Sequence, residues 1–557
     1  MFREKKEYKF LKKKIEKQVL PYVFLTAILI LMIWFNTAWS DLSILHFKLC
    51  DDVLWYYTLV QMYEGILHFD IRKVFSYPLI YGFIFFLTNL LVTFPFLDDV
   101  GSTLSVVLPP IVTSFFAGAT LYYILKATRL QKYTALEQII LLSLIILMPG
   151  FWYGAGIIHP EFMMTCFLCA SIYYLGSSKS LYSREFWKGI VLWGFAIGTK
   201  LTAVTFAPAV LGMIIWKWKN KEISFQAALS CLAAIGSVIL GLFVILTPYL
   251  IYPPGAMKWW KAIQMRMLGS VTPDGWMGLW SLQEKVIKGI GEYFPLSLFF
   301  VVLISAIWSI AKAWKTEALT VNTLIALYVL PYTLYLLFPG SQTFSGYYLP
   351  TMLLGASLIT TAVKEIKAVK KLKTVAVILL FAAVLIQGYS FGGSFIERIV
   401  HRMDDKMFTN SRGFLSNELV VDEKSELLRF AHEDAALIKP YVDTDTVLSV
   451  SAYTISDYSA IGLTHDKVVT VFGLLREWYF NREKSPSDLI VISKKDAYFS
   501  EEWLSKMTNQ TQADWRQAKQ LIEGWMSGRG EFTLVDQNAR LLIFQRKNFS
   551  GKSSVSN

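Results

Sequence analysis

Charged residues are scarce in this chain of 557 residues. Asp, Glu, Lys and Arg together make up 17% of the sequence, whereas soluble globular proteins carry about 25%. Apolar residues make up 54%, and long apolar runs recur through residues 19–392. This composition excludes an ordinary soluble protein. It is typical of a helical protein that crosses a membrane many times.

Cysteine is also scarce, with four residues in the whole chain. Three of them, Cys166, Cys169 and Cys231, lie inside apolar runs, where packing is the usual role of a thiol. The pair Cys166 and Cys169 has the spacing of a redox or metal pair, which is the weaker interpretation. A disulfide framework is not expected.

The net charge of +12 does not indicate nucleic-acid binding. Much of the Lys and Arg lies in short segments between apolar runs, where it sets membrane orientation. We therefore predict a basic cytoplasmic tail over residues 1–18 and cytoplasmic basic loops. Pairing the apolar runs between these loops predicts about eleven spans of ~20 residues, with the N-terminus inside and the C-terminus outside.

Two segments are ambiguous under this pairing. Residues 78–97 are predicted to enter from outside and return, or to lie in the interface. Residues 189–216 are predicted to form two short helices that turn on the outside at Gly198, Thr199 and Lys200. The other predicted spans are 19–35, 104–125, 135–148, 162–175, 227–250, 294–310, 321–338, 347–362 and 374–387.

Charged residues become frequent after residue 392 and the apolar runs shorten. Residues 393–546 are predicted to form an extracytoplasmic α/β domain, followed by a disordered tail at 547–557. The pattern predicts a helix at 426–438 and strands at 446–451, 468–472 and 489–493. A closing hairpin is predicted from 532–535 and 540–544. The predicted fold is therefore mostly α, a polytopic transmembrane bundle with a large first outer loop (36–103) and this α/β domain.

Asp51 and Asp52 are the strongest candidates for chemistry. They stand side by side in the first outer loop, next to the predicted membrane, where a charge is costly without a role or a partner. A carboxylate there can accept the proton of an attacking hydroxyl, and its neighbour can orient the acceptor or hold a cation. Helix capping is the structural alternative, and it explains one of the two residues.

Three further groups of residues are candidates for the same site. His159 and Glu161 can form a second acidic site that shares a divalent cation, although Glu161 also suits the first turn of a helix. Lys200 can bind a lipid phosphate, with help from Lys258 and Arg266, although a lysine extending to the membrane surface is the alternative. Tyr56, Tyr249 and Tyr347 are candidate ligand contacts, although Tyr347 also suits an interfacial aromatic belt.

The order of these motifs resembles the GT-C superfamily of membrane glycosyltransferases, in the branch of protein O-mannosyltransferases and aminoarabinose transferases. The matching pieces, over about residues 20–355, are Asp51-Asp52 with Tyr56-Tyr57, Tyr77-Pro78-Leu79, Leu108-Pro109-Pro110, His159-Pro160-Glu161, Gly198-Thr199-Lys200, Thr247-Pro248-Tyr249-Leu250 and Tyr347-Tyr348-Leu349-Pro350.

This resemblance implies an inverting hexosyl- or pentosyltransferase that uses a polyprenyl-phosphate-linked sugar. Asp51 and Asp52 would be the acids of the first loop, Glu161 the acid of the second, and Lys200 the contact to the donor phosphate. The family's arginine before the late Leu-Pro is absent from 342–348, and Arg266 is its candidate replacement. The acceptor is a glycan, lipid or protein, and a divalent metal cofactor occurs in part of the family.

The sequence leaves two other functions open. A transporter or flippase of a lipid-linked glycan would carry ionisable residues in the middle of several spans. Here they concentrate at one rim, which favours an enzyme. A membrane assembly subunit without activity is the other alternative. The predicted location is the bacterial plasma membrane, with multiple passes, contact with membrane lipids and an extracytoplasmic active site.

Overall fold

A computed structural model describes much of the chain. It covers residues 19–34, 50–75, 82–98, 102–250, 252–257, 259–260, 281–291, 294–316, 318–338, 345–366, 436–443, 446–451, 468–471, 487–494, 509–538 and 541–547. Four helices in these ranges are long and apolar enough to cross a membrane, namely Leu104–Leu130, Leu201–Lys219, Phe225–Leu246 and Leu296–Thr316.

The described residues between 19 and 366 form a bundle of helices, most of which lie where the apolar runs predict them. In chain order they are α1 Val19–Trp34, α2 Cys50–Leu67, α3 Phe83–Thr93, α4 Thr103–Leu130, α5 Ala135–Ile146, α6 Pro149–Ala155, α7 Glu161–Ser177, α8 Arg184–Thr199, α9 Ala207–Lys219, α10 Phe225–Leu246, α11 Leu296–Thr316, α12 Val321–Leu337 and α13 Leu349–Ile366. A 3-10 helix, Leu201–Phe206, joins α8 to α9.

Local sequence signals explain where several helices begin. Thr134 and Glu137 form a reciprocal capping box at the start of α5, which satisfies two backbone N–H groups that have no partner inside the helix. Ser183 and Ser224 cap α8 and α10 through their side-chain oxygens. Thr320 caps α12 in the same way.

Helix α7 lies at the centre of the bundle and packs against α4 and α8. Twelve of its residues are buried, including Cys166 and Cys169, so these two thiols belong to the apolar core as predicted. Helices α11, α12 and α13 pack against one another. The first residues of α7 are therefore held from several sides, which matters because Glu161 is one of them.

The C-terminal part contains a five-stranded sheet of order β2-β1-β3-β5-β4. Its strands are β1 Leu448–Ser451, β2 Val468–Val471, β3 Leu489–Ser493, β4 Phe532–Gln537 and β5 Leu541–Arg546. The first three strands run parallel, and β5 pairs antiparallel with β3 and β4. The predicted strands and the closing hairpin are present, and helix α14, Asn509–Met526, precedes the hairpin.

The two faces of this sheet are both apolar. Ile490 and Ile492 pack with Trp525 of α14, while Leu489 and Val491 belong to a second apolar cluster that also contains Trp55 of α2. Successive side chains of a strand point to opposite faces. The sheet therefore has one face toward its own helix and one toward the first outer loop.

Some sequence predictions concern residues outside the described ranges or stay predictions. The span 374–387, most of the helix 426–438 and all but the first residue of the tail 547–557 lie outside the described residues. Segment 78–97 contains the short helix α3 followed by a 3-10 turn, Phe94–Phe96. The number of spans and their orientation stay predictions.

Candidate active site

Lys200 stands at the junction of two helices. Helix α8 ends at Thr199, the backbone of Lys200 is extended (φ −153°, ψ 123°), and the 3-10 helix begins at Leu201. The indole N–H of Trp193 donates to the carbonyl of Ala203 across this junction, at 2.9 Å. The turn predicted at Gly198–Lys200 is therefore a fixed corner rather than the middle of a continuous helix.

A segment of the first outer loop is part of this corner. The N–H of Gly82 donates to the carbonyl of Thr199 at 2.8 Å. A Cβ atom at Gly82 would overlap the carbonyl of Gly198, so glycine is required for the approach. Gly82 could not be predicted from the sequence, because nothing in an apolar run marks one glycine as a contact between distant segments.

Glu161 begins helix α7, and His159 lies two residues earlier in the connection from α6. Pro160 is the N-cap residue, and a carboxylate in the first turn is favoured by the positive end of the helix dipole. The hydroxyl of Thr165 donates to the backbone carbonyl of Glu161 at 2.6 Å. The capping interpretation of Glu161 is thus compatible with a second role for its side chain.

Three predicted residues meet in one buried cluster. The ammonium of Lys200 donates to Oε1 of Glu161, and Nδ1 of His159 lies against Oε2 of the same carboxylate. The exposed fractions of His159, Glu161 and Lys200 are 7%, 3% and 6%. Their pairing is needed because an unpaired charge buried this deeply would be strongly destabilising.

Tyr347 completes the cluster from the start of α13. The Nζ atom of Lys200 lies 4.0 Å from the centre of the Tyr347 ring, which is a close cation–π contact. The ring of His159 lies 6.2 Å from the same ring, centre to centre. Tyr332 of α12 donates its hydroxyl to the carbonyl of Tyr347 at 2.9 Å and so fixes this segment.

The protonation state of His159 follows from this environment. Burial and then the Lys200 ammonium lower the pKa of His159 well below its ordinary value. His159 is therefore a neutral imidazole.

The buried ammonium of Lys200 disfavours a divalent metal at Glu161. It donates to Oε1 of the carboxylate, while Oε2 lies beside Nδ1 of His159. Across the described part of the chain, no three His, Cys, Asp or Glu residues come together as a metal site. Divalent cations need several oxygen or nitrogen ligands with available lone pairs.

The remaining predicted residues fall into two groups, those whose side chains the structure describes and those whose side chains lie outside the described part. Tyr56 and Tyr249 form the first group. Tyr56 is fully buried, with its hydroxyl bonded to the Ser105 hydroxyl at 2.7 Å. Tyr249 is buried against Phe75 and Phe83. Both therefore contribute to the packing of the outer loops in this structure.

Asp51 and Asp52 lie in the first turn of α2, but their side chains lie outside the described part, as do Lys258 and Arg266. Trp55 and Tyr56, one turn further along α2, belong to one apolar cluster with Ile158. Ile158 directly precedes His159. The cluster therefore connects the helix that carries the two aspartates with the loop that carries the second acid.

Comparison with solved structures identifies the fold. ArnT from Cupriavidus metallidurans bound to undecaprenyl phosphate matches with a TM-score of 0.53 and 11% identity, over 94% of this chain and 98% of that chain. The archaeal oligosaccharyltransferase AglB from Archaeoglobus fulgidus, in complex with an inhibitory peptide and a dolichol-phosphate, matches with a TM-score of 0.55. Its identity is 10%, over 97% of this chain and 75% of that chain.

No family model and no curated protein sequence matches the chain significantly. At these low identities the comparison shows a shared fold and does not show that residues of the site are shared. The chain therefore shares its fold with ArnT and AglB, which confirms the predicted resemblance at the level of the fold.

Proposed function

We propose that this protein is an inverting glycosyltransferase that moves a sugar from a polyprenyl-phosphate-linked donor to an acceptor at the outer face of the membrane. The single observation that carries the proposal is the buried cluster of Lys200, Glu161, His159 and Tyr347 at the helix junction. It supplies a fixed cation on a fold found in one protein bound to undecaprenyl phosphate and another bound to a dolichol-phosphate.

Lys200 has the role of phosphate ligand in this proposal. As the bond between the anomeric carbon and the phosphate oxygen breaks, the electron pair leaves with the phosphate. An ammonium held in place by Glu161 and the Tyr347 ring stabilises that charge without having to reorganise. Lys258 and Arg266 are proposed to supply further positive charge from the following outer loop.

Asp51 or Asp52 is proposed as the base. One carboxylate accepts the proton of the acceptor hydroxyl while that oxygen attacks the anomeric carbon from the side opposite the phosphate, which inverts its configuration. The apolar cluster between α2 and the His159 loop supports this assignment, since it joins the two segments that carry the acids. The other aspartate orients the acceptor.

The proposed setting is a plasma membrane with the site on the extracytoplasmic side. The C-terminal α/β domain would cover the site or hold the acceptor, whose class is a glycan, lipid or protein. The apolar residues Leu489 and Val491 of its sheet share a cluster with α2, which supports a place for this domain above the first outer loop.

The test compares wild type with Asp51→Asn and Asp52→Asn in membranes supplied with radiolabelled polyprenyl-phosphate sugars. Asp98→Asn is the matched control, because Asp98 is an exposed aspartate of the same loop. We expect transfer to be lost in at least one of the first two variants and kept in the control. Equal transfer in all variants would remove the two carboxylates from the mechanism.

The same assay separates an enzyme from a flippase. An enzyme releases free polyprenyl phosphate as it consumes the labelled donor, whereas a flippase moves the intact lipid-linked sugar across the bilayer. Cysteine labelling at position 126 tests the orientation, because this position is predicted to be cytoplasmic. An impermeant reagent that reaches position 126 from outside would contradict the predicted pairing of spans.

A further inference from the structure

The second acidic loop carries an arrangement that the sequence did not predict. Glu161 and His159 were predicted to form a second acidic site able to share a divalent cation, yet the ammonium of Lys200 contacts Oε1 of the Glu161 carboxylate. The other oxygen faces Nδ1 of His159. A divalent cation at Glu161 would have to displace Lys200 from Oε1 or bind beside its buried positive charge.

We propose that Lys200 takes the place of a divalent cation at this site, and that Glu161 is a positioning residue acting through Lys200 rather than a metal ligand. The inference rests on the proposed function and deepens it. Three observations on different elements converge on the ammonium: the Glu161 carboxylate at the start of α7, the Tyr347 ring at 4.0 Å before α13, and the extended corner after α8 that presents Lys200 itself.

The chemistry of the ammonium group explains why a lysine can stabilise a leaving phosphate in place of a metal ion. A leaving phosphate requires positive charge within contact distance and a fixed direction of approach. An ammonium has three N–H donors, so one can bind Glu161 while another points toward a ligand. Its single charge is balanced by Glu161 while the site is empty, which lowers the cost of burying it.

Metal binding is the direct test, measured on the purified full-length protein without any sugar donor. Wild type and Glu161→Gln are equilibrated with Mn²⁺, and bound metal is read by electron paramagnetic resonance and by elemental analysis. We expect wild type to retain no stoichiometric Mn²⁺, or to retain an amount that Glu161→Gln does not change. One Mn²⁺ per chain that is lost in Glu161→Gln would overturn the proposal.

The positioning role of Glu161 is tested separately with undecaprenyl phosphate as the probe. Glu161→Gln should weaken binding of this lipid roughly tenfold or more, because the ammonium loses its charged partner, and Glu161→Asp should restore part of that loss. Lys188→Met is the control, since Lys188 lies on α8, the helix that ends just before Lys200, and its Nζ atom lies 5.3 Å from the centre of the Tyr174 ring. Unchanged lipid binding in folded Glu161→Gln would refute the positioning role.

Transfer activity distinguishes this inference from the function on which it rests. If wild type transfers sugar, chelation with EDTA should change the transfer rate by less than about twofold, because the site would hold no metal ion for EDTA to remove. A rate abolished by EDTA and restored by Mn²⁺ would overturn the inference and leave the proposed function standing. If wild type transfers no sugar, the proposed function fails, while the Mn²⁺ measurement still decides what Glu161 binds.

Discussion

Replacing Lys200 by methionine should destabilise the protein mainly through the loss of a buried charge and only slightly through a change in packing. Methionine fills much of the same volume, but Glu161, with an exposed fraction of 3%, is left as an unpaired buried carboxylate. Breaking a buried ion pair by removing one partner costs about 3–5 kcal/mol. The Tyr347 ring also loses its cation, at 4.0 Å in the wild type, which adds about 1 kcal/mol.

The double variant Lys200→Met with Glu161→Gln separates charge from shape. Because it removes both charges, we expect it to recover more than about half of the lost stability, as other buried pairs do when both partners are replaced. Transfer activity should stay low in both variants, about 10²- to 10³-fold below wild type, since the cation at the leaving phosphate is missing.

The assay is thermal unfolding of the purified protein in detergent, followed by tryptophan fluorescence, together with radiolabelled transfer. Lys188→Met is the control and should cost less than about 1 kcal/mol. The reasoning is refuted if Lys200→Met unfolds at the wild-type temperature. It is equally refuted if the double variant is no more stable than the single one.

Three further predictions test other parts of the site. His159 has a lowered pKa in the folded protein against an ordinary value of 6.5, so its contribution to stability is present above that pH and is lost as pH falls below it. The slope should be at most about 1.4 kcal/mol per pH unit, and unfolding temperatures of His159→Gln measured against pH should lack this component. Gly82→Ala should lower the free energy of unfolding by about 3 kcal/mol or more, because the new Cβ would overlap backbone atoms. The control Gly236→Ala, which has open space around it, should be neutral or stabilising by up to about 1 kcal/mol. Equal unfolding temperatures for the two variants would contradict the contact at Gly82. Tyr347→Phe should keep donor affinity within about twofold and Tyr347→Leu should weaken it, because the ring face and not the hydroxyl holds the ammonium; equal donor affinity in both variants would exclude that role.

Much of the fold could be predicted from the sequence because hydrophobic periodicity is a local property. Apolar runs bounded by Ser, Thr and basic residues predicted the helices α4, α7 and α10 closely. The strand at 489–493 and the closing hairpin were predicted from alternation and turn residues. None of these required knowledge of which elements are neighbours in space.

The sequence by itself determined which residues carry charge at the ends of apolar segments, and so proposed His159, Glu161 and Lys200 for one site. Only the tertiary structure decided how they combine, with Lys200 on one carboxylate oxygen, His159 on the other and Tyr347 over the ammonium. These residues come from three separate segments, and contact between distant segments depends on helix packing rather than on local pattern. For the same reason Gly82 was found only in the structure, since its requirement is set by the backbone at Gly198.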